Sequence, residues 1–203
     1  MQITTGFRRL LSHPRLYDAF QDLMGARSIR RDLVTRYLRP AAGHRMLDIG
    51  CGTARILDFL PDIDYHGFDP SPRYIAEARR RYATQGRFSC AMVEQTTLAD
   101  IEQFDLVLAF GVLHHLDDAQ AHQLMQLAHA ALKPGGRLIT IDPCYAHGQH
   151  PVARYLIRRD RGQNVRTSAA YQAVANSVFR QQRGEVKHRR WIPYTHWIME
   201  CQR

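Results

Sequence analysis

The stretch "MLDIGCGTAR", residues 46–55, decides the fold, because a short apolar strand runs here into a turn with two glycines. Dinucleotide-binding turns have the pattern G-x-G-x-x-G, whose third glycine lets a helix pack close to the strand. This chain has Arg55 in the third position, and Asp48 stands two residues before Gly50. A carboxylate there would repel a phosphate and attract an ammonium group. The turn therefore favours a ligand with a positive group and no phosphates.

A second acidic residue, Asp69, ends the next predicted strand, "DYHGFD" (64–69). An acidic side chain in this place accepts hydrogen bonds from both hydroxyls of a ribose. Each charge-assisted hydrogen bond of this kind contributes roughly 1.5–3 kcal/mol. A nucleoside that bears an amino acid and no phosphate suits both carboxylates, and S-adenosylmethionine is such a molecule.

Short apolar strands alternate with helical segments along the chain. The strands are predicted at 45–50, 64–69, 88–93, 104–111 and 137–142, with a final antiparallel pair at 185–192 and 195–202. Alternation of this kind indicates βαβ units and a parallel sheet. In such sheets, ligands bind at the carboxyl ends of the strands, near the switch in strand order.

The helices are predicted from apolar periodicity and from capping residues. A first helical segment covers 14–39 and breaks at Gly25, and a short helix covers 54–61. Ser71, followed by Pro72, caps the next helix. The remaining helices are predicted from Asp117 or Asp118 to about Leu132, over 151–159 and over 167–181.

Composition and charge limit the class of protein. The chain has 203 residues and a formal net charge of +9, and only Lys133 and Lys187 among its 28 basic residues are lysines. Such a charge would aid approach to nucleic acid, anionic lipid or an acidic small molecule, and it equally fits a solvated basic surface. No apolar run approaches the roughly 18 residues of a membrane span, and the first residues lack the apolar core of a secretory signal. The four cysteines lie far apart, so we expect no disulfide framework or zinc site, and a cytoplasmic location.

Four motifs together carry a family resemblance. The segments "LDIGCGTAR", "GFDPSPRYIAEAR", "FDLVLAFGVLHHL" and "LKPGGRLITIDP" resemble the successive motifs of class I S-adenosylmethionine-dependent methyltransferases of the small-molecule type. The match covers roughly 45–143. It implies a Rossmann-like, seven-stranded, mostly parallel sheet with helices on both faces and an antiparallel last strand. We expect an N-terminal helical cap at 1–40 and a methyltransferase domain at 41–203, with an acceptor-side lid insert at about 144–168.

The resemblance also implies a cofactor, S-adenosyl-L-methionine, with S-adenosyl-L-homocysteine as product. Its expected contacts follow the first four strands: Asp48, Gly50, Cys51 and Gly52 at the methionine end, Asp69 and Pro70 at the ribose, Met92 and Val93 at the adenine, and Phe110 and Gly111 at the sulfonium. Many relatives carry an aspartate near the position of Met92 that binds the adenine amino group. This chain lacks it, so a backbone group would take that role. The Cys51 side chain is interpreted as a small loop filler rather than a nucleophile.

The candidate catalytic residues are His115, His114 and Tyr145. The two histidines follow the fourth strand in "GVLHHLDD", and histidine titrates near neutrality, so either is able to take a proton from a hydroxyl or amine. The competing interpretation is that a histidine here only fixes the loop. A metal site with Asp117 and Asp118 is disfavoured because adjacent histidines rarely converge on one ion, and no metal is expected.

The segment after the fifth strand, "DPCYAHGQHPVARYLIRRDRGQNVR", looks like a lid over the acceptor pocket. Its helix is predicted to turn Val152, Tyr155 and Leu156 inward. The following "RDRGQNVR" would grip a carboxylate or phosphate through bidentate arginine, although these arginines also fit a solvated surface. The candidate substrate-binding residues are Tyr17, Gln21, His147, Arg158 and Arg161.

The leading functional hypothesis is methyl transfer to a small-molecule acceptor, anionic or hydroxylated acceptors included. An RNA methyltransferase acting on tRNA or rRNA is the first alternative, because of the +9 charge. Against it, the fourth strand lacks the N/D-P-P-Y/F loop that stacks a flipped base, and no RNA-binding module is appended. The second alternative is a cofactor-binding protein without catalysis. The acceptor atom (oxygen, nitrogen, carbon or sulfur) and the oligomeric state are not predicted.

Overall fold

The structure, a computed structural model, describes residues 25–94, 101–160, 162–189 and 193–203. The strands within these ranges are β1 (Arg45–Ile49), β2 (Asp64–Phe68), β3 (Arg87–Ser89), β4 (Phe104–Phe110), β5 (Leu132–Tyr145), β6 (Arg166–Thr167), β7 (Gln181–Arg189) and β8 (Tyr194–Gln202). They form one sheet in the order β3-β2-β1-β4-β5-β8-β7, and the short β6 pairs with β5.

Strand direction follows the prediction. The neighbouring pairs from β3 to β5 are parallel, whereas β8 runs antiparallel to both β5 and β7. The Rossmann-like, mostly parallel sheet with an antiparallel last strand is therefore confirmed. Because β8 is reversed, its first residues lie at the same edge of the sheet as the carboxyl ends of the parallel strands.

Three strands differ clearly from their predicted bounds, and one of them is β7, which covers Gln181–Arg189 against the predicted 185–192. β3 has only three residues, against the predicted 88–93. β5 begins at Leu132 and includes the Lys-Pro-Gly-Gly segment predicted as a turn. The register with β4 moves from Phe104↔Leu132 to Leu106↔Arg137, so this segment bulges out of the ladder while the strand continues.

The helices within the described ranges are α1 (Ala26–Asp32), α2 (Pro72–Tyr82), α3 (Asp118–Ala131), α4 (Pro151–Arg158) and α5 (Ser168–Asn176). α1 begins directly after Gly25 and continues as a π-helical turn, Leu33–Leu38. The part of the predicted first helix before Gly25 lies outside the described residues. The predicted helix at 54–61 is a short 3₁₀ helix, Arg55–Phe59, and a second 3₁₀ turn covers Leu113–His115.

The predicted caps explain where α2 and α3 begin. The hydroxyl of Ser71 accepts a hydrogen bond from the Tyr74 backbone N–H at 3.4 Å, with Pro72 at the first helical position. Asp117 and Gln120 form a reciprocal capping box, in which the Asp117 carboxylate accepts from the Gln120 N–H at 2.8 Å. These caps fix where the chain leaves the carboxyl edge of the sheet.

The core has one layer on each face of the sheet. On one face, the residues around Leu33, Met46 and Ile75 pack under α1 and α2. On the other face, those around Val107 and Met125 pack under α3 and α5. Both faces of β1 and β4 are covered, as a parallel sheet requires.

Helix α4, in the segment expected to form a lid, presents a different face from the predicted one. Val152 and Tyr155 are 46% and 54% exposed, whereas Ala153 and Ile157 are buried. The expectation that Val152 and Tyr155 turn inward is wrong. Ala153 and Ile157 are four residues apart and therefore lie on one side of the helix. This side, rather than the one with Val152 and Tyr155, packs against the sheet.

Candidate functional site

The turn after β1 is held against β2 by its backbone. The N–H groups of Gly50 and Cys51 both donate to the Phe68 carbonyl, at 2.8 and 3.0 Å. Gly50 has φ of 73°, and a Cβ there would lie 2.7 Å from Cγ2 of Val112. Gly52 has φ of 56° and open space where its Cβ would point. The two glycines therefore let the loop after β4 come close and leave room beside the turn.

Asp48 is buried at the end of β1, and one of its two carboxylate oxygens has no hydrogen-bond partner among the described residues. Its Oδ2 accepts a hydrogen bond from the Tyr65 hydroxyl at 2.6 Å. Its Oδ1 is buried and has no hydrogen-bond partner within the described part of the chain. Burial raises the pKa of Asp48 to about 7, against the effect of the Tyr65 hydrogen bond. A buried carboxylate oxygen without a donor is able to accept from an ammonium group.

Asp69 lies directly after β2, on the other side of the turn. Its Oδ2 accepts from the Gly52 N–H at 3.0 Å, and its Oδ1 accepts from the Ser71 N–H at 2.8 Å. Burial raises the pKa of Asp69, although these two hydrogen bonds act in the opposite direction. Each carboxylate oxygen keeps a further lone pair, so two hydroxyl donors fit an oriented carboxylate here.

Cys51 and Ala54 shape the turn from within. A Cβ on Gly67 would lie 2.8 Å from the Cys51 sulfur, so this thiol packs over the bare backbone of β2. Burial raises the pKa of the Cys51 thiol far above its usual range, which fits the expected filler role. Ala54 adopts φ of 55°, a conformation that few alanines take. No residue pattern predicted this strained position.

The residues expected at the adenine and at the sulfonium lie farther apart from one another than the two carboxylates at the turn. Met92 is 57% exposed and Val93 packs against the core, both of them three or four residues beyond the end of β3. Phe110 is half-buried at the end of β4, and the Gly111 N–H donates to the Ile141 carbonyl at 2.8 Å. The Pro70 carbonyl accepts a hydrogen bond from the Cys90 thiol at 3.8 Å. Phe110 and Gly111 thus lie beside the turn after β1, while Met92 projects to solvent.

His114 is buried between two carboxylates. Its Nδ1 lies 2.8 Å from Oδ1 of Asp142, and its Nε2 lies 3.2 Å from Oδ1 of Asp160. Burial alone would lower the pKa of His114, but the hydrogen bonds to both carboxylates raise it to about 9. Its ring nitrogens are therefore engaged inside the protein, as the loop-fixing interpretation expects.

The same cluster fastens the segment after α4. Asp160 also accepts hydrogen bonds from the Tyr194 hydroxyl at 2.6 Å and from the Gly162 N–H at 2.9 Å. The Asn164 N–H donates to the His114 carbonyl at 2.9 Å. A Cβ on Gly162 would lie 1.9 Å from Cδ2 of His114, so only glycine allows this approach. The loop after β4, the end of α4 and the start of β8 are thus joined at one point.

The other candidates at the acceptor side are more dispersed. The His115 ring lies 4.0 Å from the His114 ring and is half-buried. Tyr145 is half-buried at the end of β5, with the Arg154 guanidinium 5.8 Å from its ring centre. His147 and Arg158 are exposed. Tyr17, Gln21 and Arg161 lie outside the described residues.

Arg166, an arginine of the segment expected to form the lid, uses its donors for hydrogen bonds within the protein. Arg166 donates to the carbonyls of Leu113, Leu116 and Asn164 at 2.8–3.1 Å, and to the Asp118 carboxylate at 2.8 Å. Its donors therefore hold the loop between β4 and α3. The expectation that the arginines of "RDRGQNVR" grip an acceptor does not hold for Arg166.

The described residues hold neither a metal-binding cluster nor a membrane-spanning helix. Within the described ranges, no group of three or more His, Cys, Asp or Glu side chains is arranged to hold a metal ion. None of the helices in those ranges has the length and apolar character needed to cross a bilayer.

Comparison with known proteins agrees with the geometry. Residues 47–138 match the family model described as a methyltransferase domain. The chain is 36% identical over 104 residues to a ubiquinone biosynthesis O-methyltransferase of Bradyrhizobium sp. (strain ORS 278), a match that covers 48% of this chain and 39% of the relative. It is 31% identical over 144 residues to a demethylmenaquinone methyltransferase of Chlorobaculum parvum, covering 66% of this chain and 58% of the relative. The chain thus spans well under two thirds of both.

Solved structures show the same architecture. The N-methyltransferase NodS from Bradyrhizobium japonicum WM9 superposes with a TM-score of 0.69 at 18% identity, over 90% of this chain and 98% of NodS. At that identity the likeness concerns the fold. Residues 47–138 therefore form a methyltransferase domain by their family match, and the fold around that domain is the one seen in NodS.

Proposed function

We propose that this protein transfers a methyl group from S-adenosylmethionine to a small-molecule acceptor. The observation that carries the proposal is the buried Oδ1 of Asp48, which lacks a donor within the described residues and lies beside an open glycine turn. An ammonium group satisfies this atom, and Asp69, across the turn, is oriented to accept from a ribose. The named relatives that act on quinone precursors support a small acceptor.

The cofactor, when bound, supplies a methyl carbon already activated by its sulfonium. The chain's own task is then to align the acceptor with that carbon and to exclude water, and alignment alone supplies roughly 7–11 kcal/mol. In this proposal Asp48 holds the amino group, Asp69 holds the ribose, and Phe110 and Gly111 border the reacting centre. Cys51, Pro70, Met92 and Val93 remain proposed contacts along the cofactor.

His114 has a positioning role in this proposal, because Asp142 and Asp160 occupy its ring nitrogens. His115 and Tyr145 remain the proposed groups that contact an acceptor, and a base is needed only where the acceptor must lose a proton. No observation in the described residues favours an RNA substrate. A cytoplasmic location remains a prediction.

Calorimetry with S-adenosylhomocysteine tests the cofactor half. We expect binding to the unaltered protein and none of NADH, whose pyrophosphate would meet Asp48. A screen of hydroxylated and anionic small molecules with labelled S-adenosylmethionine, with bulk tRNA and rRNA in parallel, tests the acceptor half. The proposal would be contradicted if RNA alone became labelled, or if S-adenosylhomocysteine did not bind to the protein.

A further inference from the structure

Helix α4 exposes large hydrophobic side chains to solvent. Three large hydrophobic residues are exposed in the described part of the chain, and two of them, Val152 and Tyr155, lie on this helix. The buried residues of α4, Ala153 and Ile157, lie on its other side. Single exposed hydrophobic residues are common, but two of them three positions apart on one helix form a continuous surface.

The exposed face of α4 also carries arginines. Arg154, Arg158 and Arg159 are all exposed. Arg158 and Arg159 follow Tyr155 by three and four positions, so they flank it on the helix surface. The Arg159 guanidinium lies 4.8 Å from the centre of the Tyr155 ring. Hydrophobic and cationic groups are therefore interleaved on this face.

The sequence around α4 is entirely without acidic residues. None occurs between 143 and 159. The carboxylate that ends this run, Asp160, accepts hydrogen bonds from the Tyr194 hydroxyl and the Gly162 N–H and lies beside His114. The net charge of the whole chain, +9, has the same sign. The face therefore suits a partner that is negatively charged and also receives apolar side chains.

An anionic bilayer surface has both properties. Its phosphate groups attract arginine, and the boundary between headgroups and acyl chains accepts tyrosine and small apolar side chains. A nucleic-acid backbone would satisfy the arginines but offers no apolar layer to Val152. A second copy of the same face would bring like charges together, which disfavours symmetric pairing of two chains through α4.

Both ends of α4 lie at the carboxyl edge of the sheet. Near its start, the Arg154 guanidinium lies 5.8 Å from the centre of the Tyr145 ring, at the end of β5. Just beyond its end, Asp160 is bound to Tyr194, the first residue of β8. A surface that contacts α4 thus lies beside the edge at which the acceptor is proposed to bind.

We infer that the exposed face of α4 docks the protein on an anionic membrane surface. The arginines meet the lipid phosphates, and Val152 and Tyr155 enter the headgroup layer. The inference goes beyond the proposed function and does not depend on it, because docking needs neither cofactor nor acceptor.

The test is cosedimentation with vesicles of phosphatidylcholine containing about one third phosphatidylglycerol, against vesicles of phosphatidylcholine alone. We expect the protein to sediment with the anionic vesicles only, and less so as salt is added. The double variant Arg158→Gln, Arg159→Gln should bind roughly tenfold more weakly or worse, since each arginine near such a surface contributes about fivefold. The double variant Val152→Ser, Tyr155→Ser should bind about fivefold more weakly or worse, because its apolar contact is lost.

The double variant Arg87→Gln, Arg180→Gln is the matched control. Both arginines are exposed, Arg87 begins β3 and Arg180 directly precedes β7, so they lie at the opposite edge of the sheet from α4. This variant loses the same two charges and should bind the anionic vesicles like the unaltered protein. A further readout comes from Tyr155→Trp, whose fluorescence should shift to shorter wavelength when anionic vesicles are added.

Three results would overturn the inference. The first is no sedimentation of the unaltered protein with anionic vesicles. The second is equal binding by the folded α4 variants and the control, because the charge of the whole chain would then account for the attraction. The third is tighter binding to bulk tRNA than to the vesicles with Val152→Ser, Tyr155→Ser unaffected, which would assign the face to nucleic acid. Circular dichroism verifies folding, and the shift in Tyr155→Trp decides if another variant does not fold.

Discussion

The Nε2 atom of His114 lies 3.2 Å from Oδ1 of Asp160, so an imidazole from the loop after β4 is tied to the segment that directly follows helix α4. The two residues are 46 positions apart in the chain, and Asp142 holds the opposite ring nitrogen. A charged imidazole between two carboxylates has clear consequences for stability, because its protonation is coupled to folding.

The first prediction concerns that coupling. The pKa of His114 is raised to about 9 in the folded protein, against about 6.5 in an unfolded chain. The folded state therefore binds the proton more tightly. The stabilisation is fully present below about pH 6.5 and is lost as the pH rises through 9. We expect the melting temperature, followed by circular dichroism, to fall across this window, and to fall much less in His114→Gln.

His129→Gln provides the control for the first prediction, because burial lowers the pKa of His129 rather than raising it. This variant should keep the decline of the unaltered protein. An identical pH profile for His114→Gln and the unaltered protein would show that the imidazole is not charged in the fold.

The second prediction concerns the pH dependence of cofactor binding. Burial raises the pKa of Asp48 to about 7, and an ammonium ligand prefers the ionised carboxylate. Affinity for S-adenosylhomocysteine should therefore increase up to tenfold per pH unit between about pH 5.5 and 7, and level off above. Asp48→Asn should bind more weakly at pH 8 and lose this dependence. Calorimetry at several pH values measures both, and a flat profile in the unaltered protein would contradict the role of Asp48.

The third prediction concerns Asp69. Asp69→Ala removes the acceptor of the Gly52 and Ser71 N–H groups together with the expected ribose contact. We expect the affinity for S-adenosylhomocysteine to fall at least a hundredfold, since two or more charge-assisted hydrogen bonds are lost. Asp62→Ala, an exposed carboxylate just before β2, should bind normally. Comparable affinities in the two variants would remove Asp69 from the cofactor site.

The fourth prediction concerns Arg166. Its side chain is 9% exposed and donates to the Leu113 and Leu116 carbonyls of the loop between β4 and α3. It also donates to the Asn164 carbonyl and to Asp118 at the start of α3. Arg166→Lys keeps the charge but loses the planar guanidinium, whose several N–H donors bond to these oxygens at once. We expect the free energy of unfolding to decrease by about 2–4 kcal/mol. Urea denaturation measures this change. Arg158→Lys, on the exposed face of α4, should unfold like the unaltered protein.

Sequence reasoning predicted where Asp48 and Asp69 stand in the fold because strand ends carry local signals, and their role toward a cofactor stays a prediction. Asp48 and Asp69 each follow an apolar run and stand at a turn, and the sheet brings consecutive strand ends together. The same reasoning predicted the caps Ser71 and Asp117, whose hydrogen bonds involve residues only three positions away. Features of this kind depend on short-range geometry, which the order of residues largely determines.

The acceptor side was less predictable because its contacts join distant segments. Asp160 and Tyr194 have no motif of their own, and their meeting with His114 depends on how α4 and β8 pack. Helix α4 has only about two turns. In so short a helix, an apolar face that contains Val152 and Tyr155 and one that contains Ala153 and Ile157 both fit helical periodicity. Tertiary packing decided between them, and the sequence offered no further signal.

The strand order separates two tasks in this scaffold. Asp48 and Asp69 lie at the ends of β1 and β2, whereas the antiparallel hairpin of β7 and β8 lies beyond β5, at the other end of the strand order. Exchanging the hairpin would therefore leave both carboxylates and their backbone partners unchanged. Under the proposed function, this makes the hairpin the natural segment to exchange when redesigning acceptor specificity.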